Sequence, residues 1–90
     1  MHFIDAPIVN LIMVVAYSDY RKILGRQVRR LRRDALLSQE ALAQRCSVYR
    51  PYLSRIESGI ANPTLLVLVS LAQALDVHIR ELFEYPQNGH

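Results

Sequence analysis

The segment from Leu37 to Gly59 constrains the fold of this chain most, because it predicts two short helices joined by a tight turn. Ser38 is a good N-cap for a helix over Gln39–Cys46, since a serine hydroxyl accepts a hydrogen bond from an unpaired backbone N–H at a helix start. After a turn of a few residues, the next helix begins near Arg50. Gly59 then ends that helix as the left-handed residue that commonly follows a C-terminus.

The second of these helices has two chemically different sides. Leu53 and Ile56, three residues apart, share one side and predict contact with a core. Arg50 and Tyr52 lie on the flanks. The opposite side carries a proline, two small hydroxyl residues and an arginine, namely Pro51, Ser54, Ser58 and Arg55.

Positive charge is concentrated in one part of the chain. The overall formal charge is +3, but ten of the 11 lysines and arginines lie between Arg21 and Arg55, with two acidic residues among them. This block has a net charge of +8. Such a block inside a folding unit predicts an anionic partner, either nucleic acid or a membrane surface. A membrane is the weaker interpretation, because the block belongs to a globular pattern rather than to a surface helix.

Other kinds of chemistry find little support. The single cysteine, Cys46, allows no intramolecular disulfide and fits a reducing compartment. The three histidines are far apart and have no metal-ligand spacing with Cys46. We see no phosphate-cradling glycine loop, carboxylate pair or nucleophile motif. We therefore expect a cytoplasmic protein that is not an enzyme and uses neither metal nor cofactor.

The rest of the chain from about residue 20 is also helical in pattern. Leu24, Val28 and Leu31 share one face of a first helix that ends near residues 34–36, and most of the basic residues around them are expected to be solvated. Thr64 can cap a fourth helix over Leu65–Leu75, and a short fifth helix covers Ile79–Phe83. We expect an all-α domain over 20–84 with a frayed tail at 85–90.

Residues 1–19 form a separate apolar segment. Ile8–Tyr17 is apolar except for one asparagine. This run is shorter than the roughly 20 residues that a membrane span needs. Its pattern does not decide between strand and helix. Three interpretations stand: extra core or an ordered arm, a dimerisation element, or a start codon that lies downstream. The fourth helix is apolar nearly all round, so its excess should meet this segment or a second subunit.

The residues from Leu24 to Phe83 resemble the helix-turn-helix domain of the Xre, Cro and phage-repressor family of bacterial regulators. The resemblance covers about two thirds of the chain. It implies an all-α, five-helix, lambda-repressor-like DNA-binding domain, to which the apolar N-terminal segment is an addition. The motifs that carry it are LSQEALA at 37–43, YLSRIESG at 52–59, NPT at 62–64 and LAQALDV at 71–77.

The resemblance also implies roles for individual residues. Gln39 matches a position that touches a phosphate, and Arg50, Pro51 and Arg55 match positions that face base edges. Tyr49 and Tyr52 match positions near the DNA backbone or flanking bases, and alternatively they pack on a neighbouring helix. Ser54 completes the DNA-binding set as a small residue that lets the helix approach the DNA.

Two further pairs of residues carry structural expectations. Arg32 and Glu57 match a pair that forms an internal salt bridge in the family. Leu36 and Ser47 stand where the family often has glycine. A left-handed conformation at either site costs on the order of 1 kcal/mol relative to glycine.

The function that this resemblance implies is sequence-specific binding of double-stranded DNA by a bacterial transcriptional regulator associated with the nucleoid. It would act as a homodimer on a palindromic operator, most often as a repressor, with half-sites about one helical turn apart. Alternatives on the same fold are a restriction–modification controller or an antitoxin that binds a toxin protein. A protein-binding module that has lost DNA binding is a rival of another class.

Overall fold

Helices make up all the regular structure that is described. The computed structural model describes the backbone of residues 7–85 and the side chains from residue 19 to residue 85. Four α-helices are followed by a terminal 3-10 helix, and no strand occurs over residues 7–85. The fold is therefore all-α, as predicted. The elements are α1 Pro7–Asp34, α2 Gln39–Cys46, α3 Arg50–Glu57, α4 Leu65–Leu75 and the 3-10 helix Ile79–Phe83.

The first helix begins much earlier than the sequence pattern indicated. We expected a start near Tyr20, and α1 starts at Pro7. Proline is tolerated in a first helical turn, and nothing from Ile8 to Asp34 breaks the helix, so the apolar segment continues it. Helix, not strand, is thus the conformation of 8–17. The division into an arm and a domain, and a dimerisation role for the arm, stay predictions. Residues 1–6 and the tail from residue 86 onward lie outside the described residues.

Both predicted N-caps are present. The Ser38 hydroxyl accepts a hydrogen bond from the Ala41 backbone N–H at 3.0 Å. The Thr64 hydroxyl accepts one from the Val67 N–H at 3.3 Å. Each bond satisfies a backbone donor that has no partner inside its helix. These caps explain why α2 and α4 begin where the sequence predicted.

Each α-helix is followed by a residue with positive φ. Gly59 has φ 78°, as predicted from its position after α3. Leu36 after α1, Ser47 after α2 and Asp76 after α4 have φ between 57° and 61°. At Leu36, the backbone N–H bonds Arg33 O at 2.9 Å. A left-handed residue whose N–H bonds a carbonyl of the last helical turn ends the helix and directs the chain into the next one.

The core lies where the helices meet. Leu24 and Val28 contribute from α1, as their spacing predicted, while Leu31 and Leu37 are partly buried. Cys46 is 6% exposed and belongs to this cluster. Side chains of this kind contribute about 1.5–3 kcal/mol each when fully buried. The most deeply buried members on the other elements are Leu42, Leu53, Ile56, Leu71 and Leu82.

Helix α4 has more apolar surface than the domain itself covers. Leu71, Ala72 and Leu75 face the core. Leu65 and Leu66, in the first turn, are 69% and 75% exposed. The side chains of 7–18 lie outside the described residues, so contact between α4 and the N-terminal segment stays a prediction.

Candidate nucleic-acid interface

Helix α3 presents the two sides that its sequence predicted. Leu53 and Ile56 are 0% and 1% exposed, and they anchor the helix in the core. Arg50, Pro51 and Arg55 are exposed. Pro51 lies in the first turn, where its missing N–H costs no hydrogen bond. The helix is thus held from behind while its charged side faces solvent.

The two tyrosines of the candidate site differ in their surroundings. Tyr49 is the N-cap residue of α3, makes no side-chain cap bond and is 85% exposed. Tyr52 is half-buried and packs against the core cluster. Of the two roles that the sequence left open, packing on neighbouring residues therefore applies to Tyr52 and not to Tyr49. Ser54 is half-buried.

A buried ion pair joins α1 to the end of α3. Arg32 Nε donates to Glu57 Oε2 at 2.6 Å, and Arg32 Nη2 donates to Glu57 Oε1 at 3.0 Å. The same guanidinium donates through Nη1 to the Leu37 carbonyl at 2.9 Å. This two-bond geometry matches a guanidinium fork to a carboxylate. The pair that the family resemblance implied is formed, and it fixes three segments to one another.

The Glu57 carboxylate also organises the side chains at the front of the site. Its Oε1 accepts a hydrogen bond from Gln39 Nε2 at 3.0 Å, and Gln39 Oε1 accepts one from Arg50 Nη1 at 3.3 Å. A carboxamide nitrogen has two hydrogens, so Gln39 keeps one for a further acceptor. Two residues predicted to contact DNA, Gln39 and Arg50, are therefore linked to each other and oriented by a buried carboxylate.

The charges of this network stabilise one another. Burial by itself raises the pKa of Glu57, but hydrogen bonds from Arg32 and Gln39 and the charges of Arg32 and Arg29 outweigh it, so the pKa lies below its usual value. The hydrogen bond to Glu57 raises the pKa of Arg32 against the opposing effect of burial. The site is therefore a carboxylate and guanidinium pair that stays charged at neutral pH.

Sequence reasoning missed one member of the network. Arg29 Nε lies 3.5 Å from Glu57 Oε1, although the α1 arginines were expected to be mostly solvated. Arg29 precedes Arg32 by three residues and so lies on nearly the same side of α1. That spacing was the available signal.

Close backbone packing brings α1 and α3 together at this network. A Cβ added at Gly25 would lie 2.6 Å from the carbonyl oxygens of both Ile56 and Glu57. Real Cβ atoms do not approach that closely, so the packing requires glycine. Gly25 is a second residue that the sequence analysis did not single out. It lets Glu57 come within reach of α1.

Arg55 differs from the other arginines near the site. It is exposed, and no hydrogen bond or ion pair from its side chain occurs among residues 19–85. Arg50, by contrast, shares a bond with Gln39. The guanidinium of Arg55 is therefore available to a planar pair of acceptors, such as O6 and N7 of guanine.

Comparison with known proteins identifies the class. A family model described as helix-turn-helix matches residues 28–82. The chain is 45% identical over 64 residues, 71% of its length and 83% of the relative's, to the HTH-type transcriptional regulator y4dJ of Sinorhizobium fredii. It is 32% identical to the control protein C.BamHI of Bacillus amyloliquefaciens, with 81% of this chain and 91% of that protein covered.

A solved structure agrees with this assignment. The restriction-modification controller protein C.AhdI of Aeromonas hydrophila superposes with a TM-score of 0.68 at 40% identity, over 70% of this chain and 96% of that one. The chain belongs to the helix-turn-helix family. It is a DNA-binding transcriptional regulator of the Xre, Cro and phage-repressor type. None of the helices in the described part of the chain is long and apolar enough to cross a membrane.

Proposed function

We propose that α3 enters the major groove of an operator and that Arg55 reads a guanine there. The linked side chains of Glu57, Gln39 and Arg50 are the observation that carries this proposal. A side chain that is already oriented loses less conformational entropy on binding than a free one, so the chain of bonds favours a fixed docking pose. In that pose Gln39 donates its remaining N–H to a phosphate, and Arg50 contacts a base edge or the adjacent phosphate.

We further propose that the regulator acts as a homodimer on a palindromic operator, with α4 in the interface. Leu65 and Leu66 are adjacent, exposed and apolar in the first turn of α4. Large apolar side chains clustered on a surface are typical of protein contacts. Two copies related by a two-fold axis would present two α3 helices to half-sites about one helical turn apart.

The names of two relatives favour a particular class of regulation. C.BamHI and C.AhdI carry the names of a control protein and a restriction-modification controller, which favours a controller role for this chain as a specific form of the general proposal. Occupancy of an operator beside a promoter blocks or recruits polymerase. We propose repression, including repression of the protein's own gene.

The first experiment is selection of binding sites from random duplex DNA by the full chain at a stated salt concentration, read by sequencing. The expected result is an enriched palindrome with a guanine in each half-site. Arg55→Ala should relax the preference at one position per half-site, whereas Gln39→Ala should weaken binding to all sequences about equally. Binding without any enriched sequence contradicts base reading, and an unchanged preference in Arg55→Ala removes Arg55 from that role.

The dimer is tested by sedimentation of Leu66→Glu. Because Leu66 is 75% exposed, the substitution leaves the fold intact and places a charge in the proposed interface. Leu36→Glu is the matched control, since Leu36 is a 92% exposed leucine on the α1–α2 connection. We expect weaker dimerisation for Leu66→Glu alone. Equal association constants for both variants would exclude the start of α4 from the interface.

A further inference from the structure

Four exposed cations form a straight row along α1. Lys22, Arg26, Arg29 and Arg33 are spaced at i, i+4, i+7 and i+11, which places them on one side of a helix. We call them the α1 basic row. It is about 16 Å long at 1.5 Å per residue. The 3-10 helix packs on another side of α1, where Gln27 Nε2 donates to the Glu81 carbonyl at 2.7 Å.

The α1 basic row runs directly beside the DNA-reading helix. Arg29 Nε lies 3.5 Å from Glu57 Oε1, the same oxygen that accepts the hydrogen bond from Gln39. Toward the other end of the row, a Cβ on Gly59 would be 3.2 Å from Lys22 Cα. The row thus follows the C-terminal end of α3, and its positive charge continues the surface that carries Gln39 and Arg50.

Little negative charge balances this row. The ion pairs between side chains in residues 19–85 are Arg32 with Glu57, Arg29 with Glu57, and Arg30 with Asp34. Glu57 is buried and already bonded twice by Arg32. Within that part of the chain, Lys22, Arg26 and Arg33 have no carboxylate partner.

We propose that the α1 basic row binds backbone phosphates of the duplex that flanks the base pairs read by α3. The inference rests on the proposed function, because α3 must be docked for the row to reach DNA. One strand carries one phosphate per roughly 3.4 Å of helix axis, so a row of about 16 Å runs alongside four or five phosphates. An acidic protein surface is the alternative partner; DNA is favoured because the row is continuous with the residues around Glu57.

The test measures the salt dependence of DNA affinity for the full chain with Arg26→Gln and Arg33→Gln combined. The logarithm of the binding constant falls with the logarithm of salt concentration by about 0.9 per phosphate contact, so the slope should become shallower by about 2. Binding is measured on the selected site alone and on the same site extended by about ten base pairs on each side, roughly one helical turn. The slope should become shallower on the extended duplex only.

The matched control combines Arg45→Gln and Arg80→Gln. These arginines are also exposed, but they lie at the end of α2 and on the 3-10 helix, and the variant has the same total charge. We expect the control to keep the wild-type slope on both duplexes. Both double variants should select the wild-type operator sequence, because the row contacts no bases.

The outcomes separate this inference from the proposed function. If the wild type selects a palindrome and the two double variants have equal slopes, the row does not bind flanking phosphates and an acidic protein becomes its partner. If the slope of the row variant becomes equally shallower on both duplexes, the assignment to flanking DNA is also overturned. If the wild type selects no sequence at all, the proposed function itself fails, and the inference fails with it.

Discussion

Replacement of Glu57 by glutamine tests whether the buried ion pair determines the stability of this domain. The Glu57 side chain is 0% exposed and the Arg32 side chain is 11% exposed. The substitution keeps the shape of the side chain and removes its charge, which leaves the Arg32 guanidinium buried without a counter-ion. Loss of one partner from a buried pair costs about 3–5 kcal/mol, whereas a surface pair contributes about 1 kcal/mol or less.

That cost is large for a chain of this length. Domains typically have about 5–15 kcal/mol of unfolding free energy, so Glu57→Gln should remove a major share of it. The assay is urea unfolding followed by far-ultraviolet circular dichroism at neutral pH. With an m-value near 1–1.5 kcal/mol/M, the midpoint should fall by roughly 2–5 M. The m-value itself should change little if the variant still folds to the same compactness.

Two further variants make the result interpretable. Asp34→Asn breaks the surface pair between Arg30 and Asp34, whose side chains are 52% and 66% exposed respectively. This substitution should lower the unfolding free energy by less than about 1 kcal/mol. Replacing both Arg32 and Glu57 by methionine removes the two charges together and should recover most of the loss, since apolar replacements of buried pairs are often neutral or stabilising. A cost for Glu57→Gln no greater than that of Asp34→Asn would refute the reasoning.

The same variant changes the response to acid. The pKa of Glu57 is lower in the folded protein than its ordinary value of 4.5. The ionised carboxylate therefore contributes stability above pH 4.5, and that contribution is lost as pH falls through the folded pKa. Between neutral pH and acid, the wild type should lose more unfolding free energy than Glu57→Gln. Parallel pH profiles for the two proteins would contradict the assignment.

Three other predictions concern stability and reactivity. Leu36→Gly should raise the unfolding free energy by about 0.5–1 kcal/mol in urea titrations, because Leu36 has φ 61°, while Leu36→Ala keeps the Cβ and should give no such gain. Gly25→Ala should lower the melting temperature although alanine favours helix, since its Cβ would meet two carbonyl oxygens of α3 at 2.6 Å; a higher melting temperature would show that α1 and α3 separate without cost. Burial raises the pKa of the Cys46 thiol, so a disulfide reagent should label it slowly in the native protein and rapidly in urea, and equal rates would contradict its burial.

Local chemistry made most element boundaries predictable. Ser38 and Thr64 cap α2 and α4 with their own hydroxyls, and Gly59 takes the left-handed conformation after α3. These interactions involve residues a few positions apart, so a sequence pattern contains them completely. The start of α1 did not follow, because an apolar run without breakers fits a strand as well as a helix until its context is known.

For the candidate site, the residue types were predictable and their connections were not. The resemblance implied the pair of Arg32 and Glu57, and the helical spacing of α3 placed Arg55 on the exposed side. The bond between Gln39 and Arg50 joins two helices across 11 residues, and Arg29 reaches Glu57 from another helix. Their distances depend on how closely α1 packs on α3 at Gly25.

The sequence by itself determined the helices after α1, the hydroxyl caps of α2 and α4, the side of α3 that faces the core and the basic character of the surface, because periodicity and capping act over one or two helical turns. The tertiary structure decided which cations remain without a counter-ion and which are bound. Glu57 is a single buried carboxylate around which Arg32, Arg29 and Gln39 converge from two helices. Convergence of this kind depends on packing between helices, which the helical spacing of residues within one element does not fix.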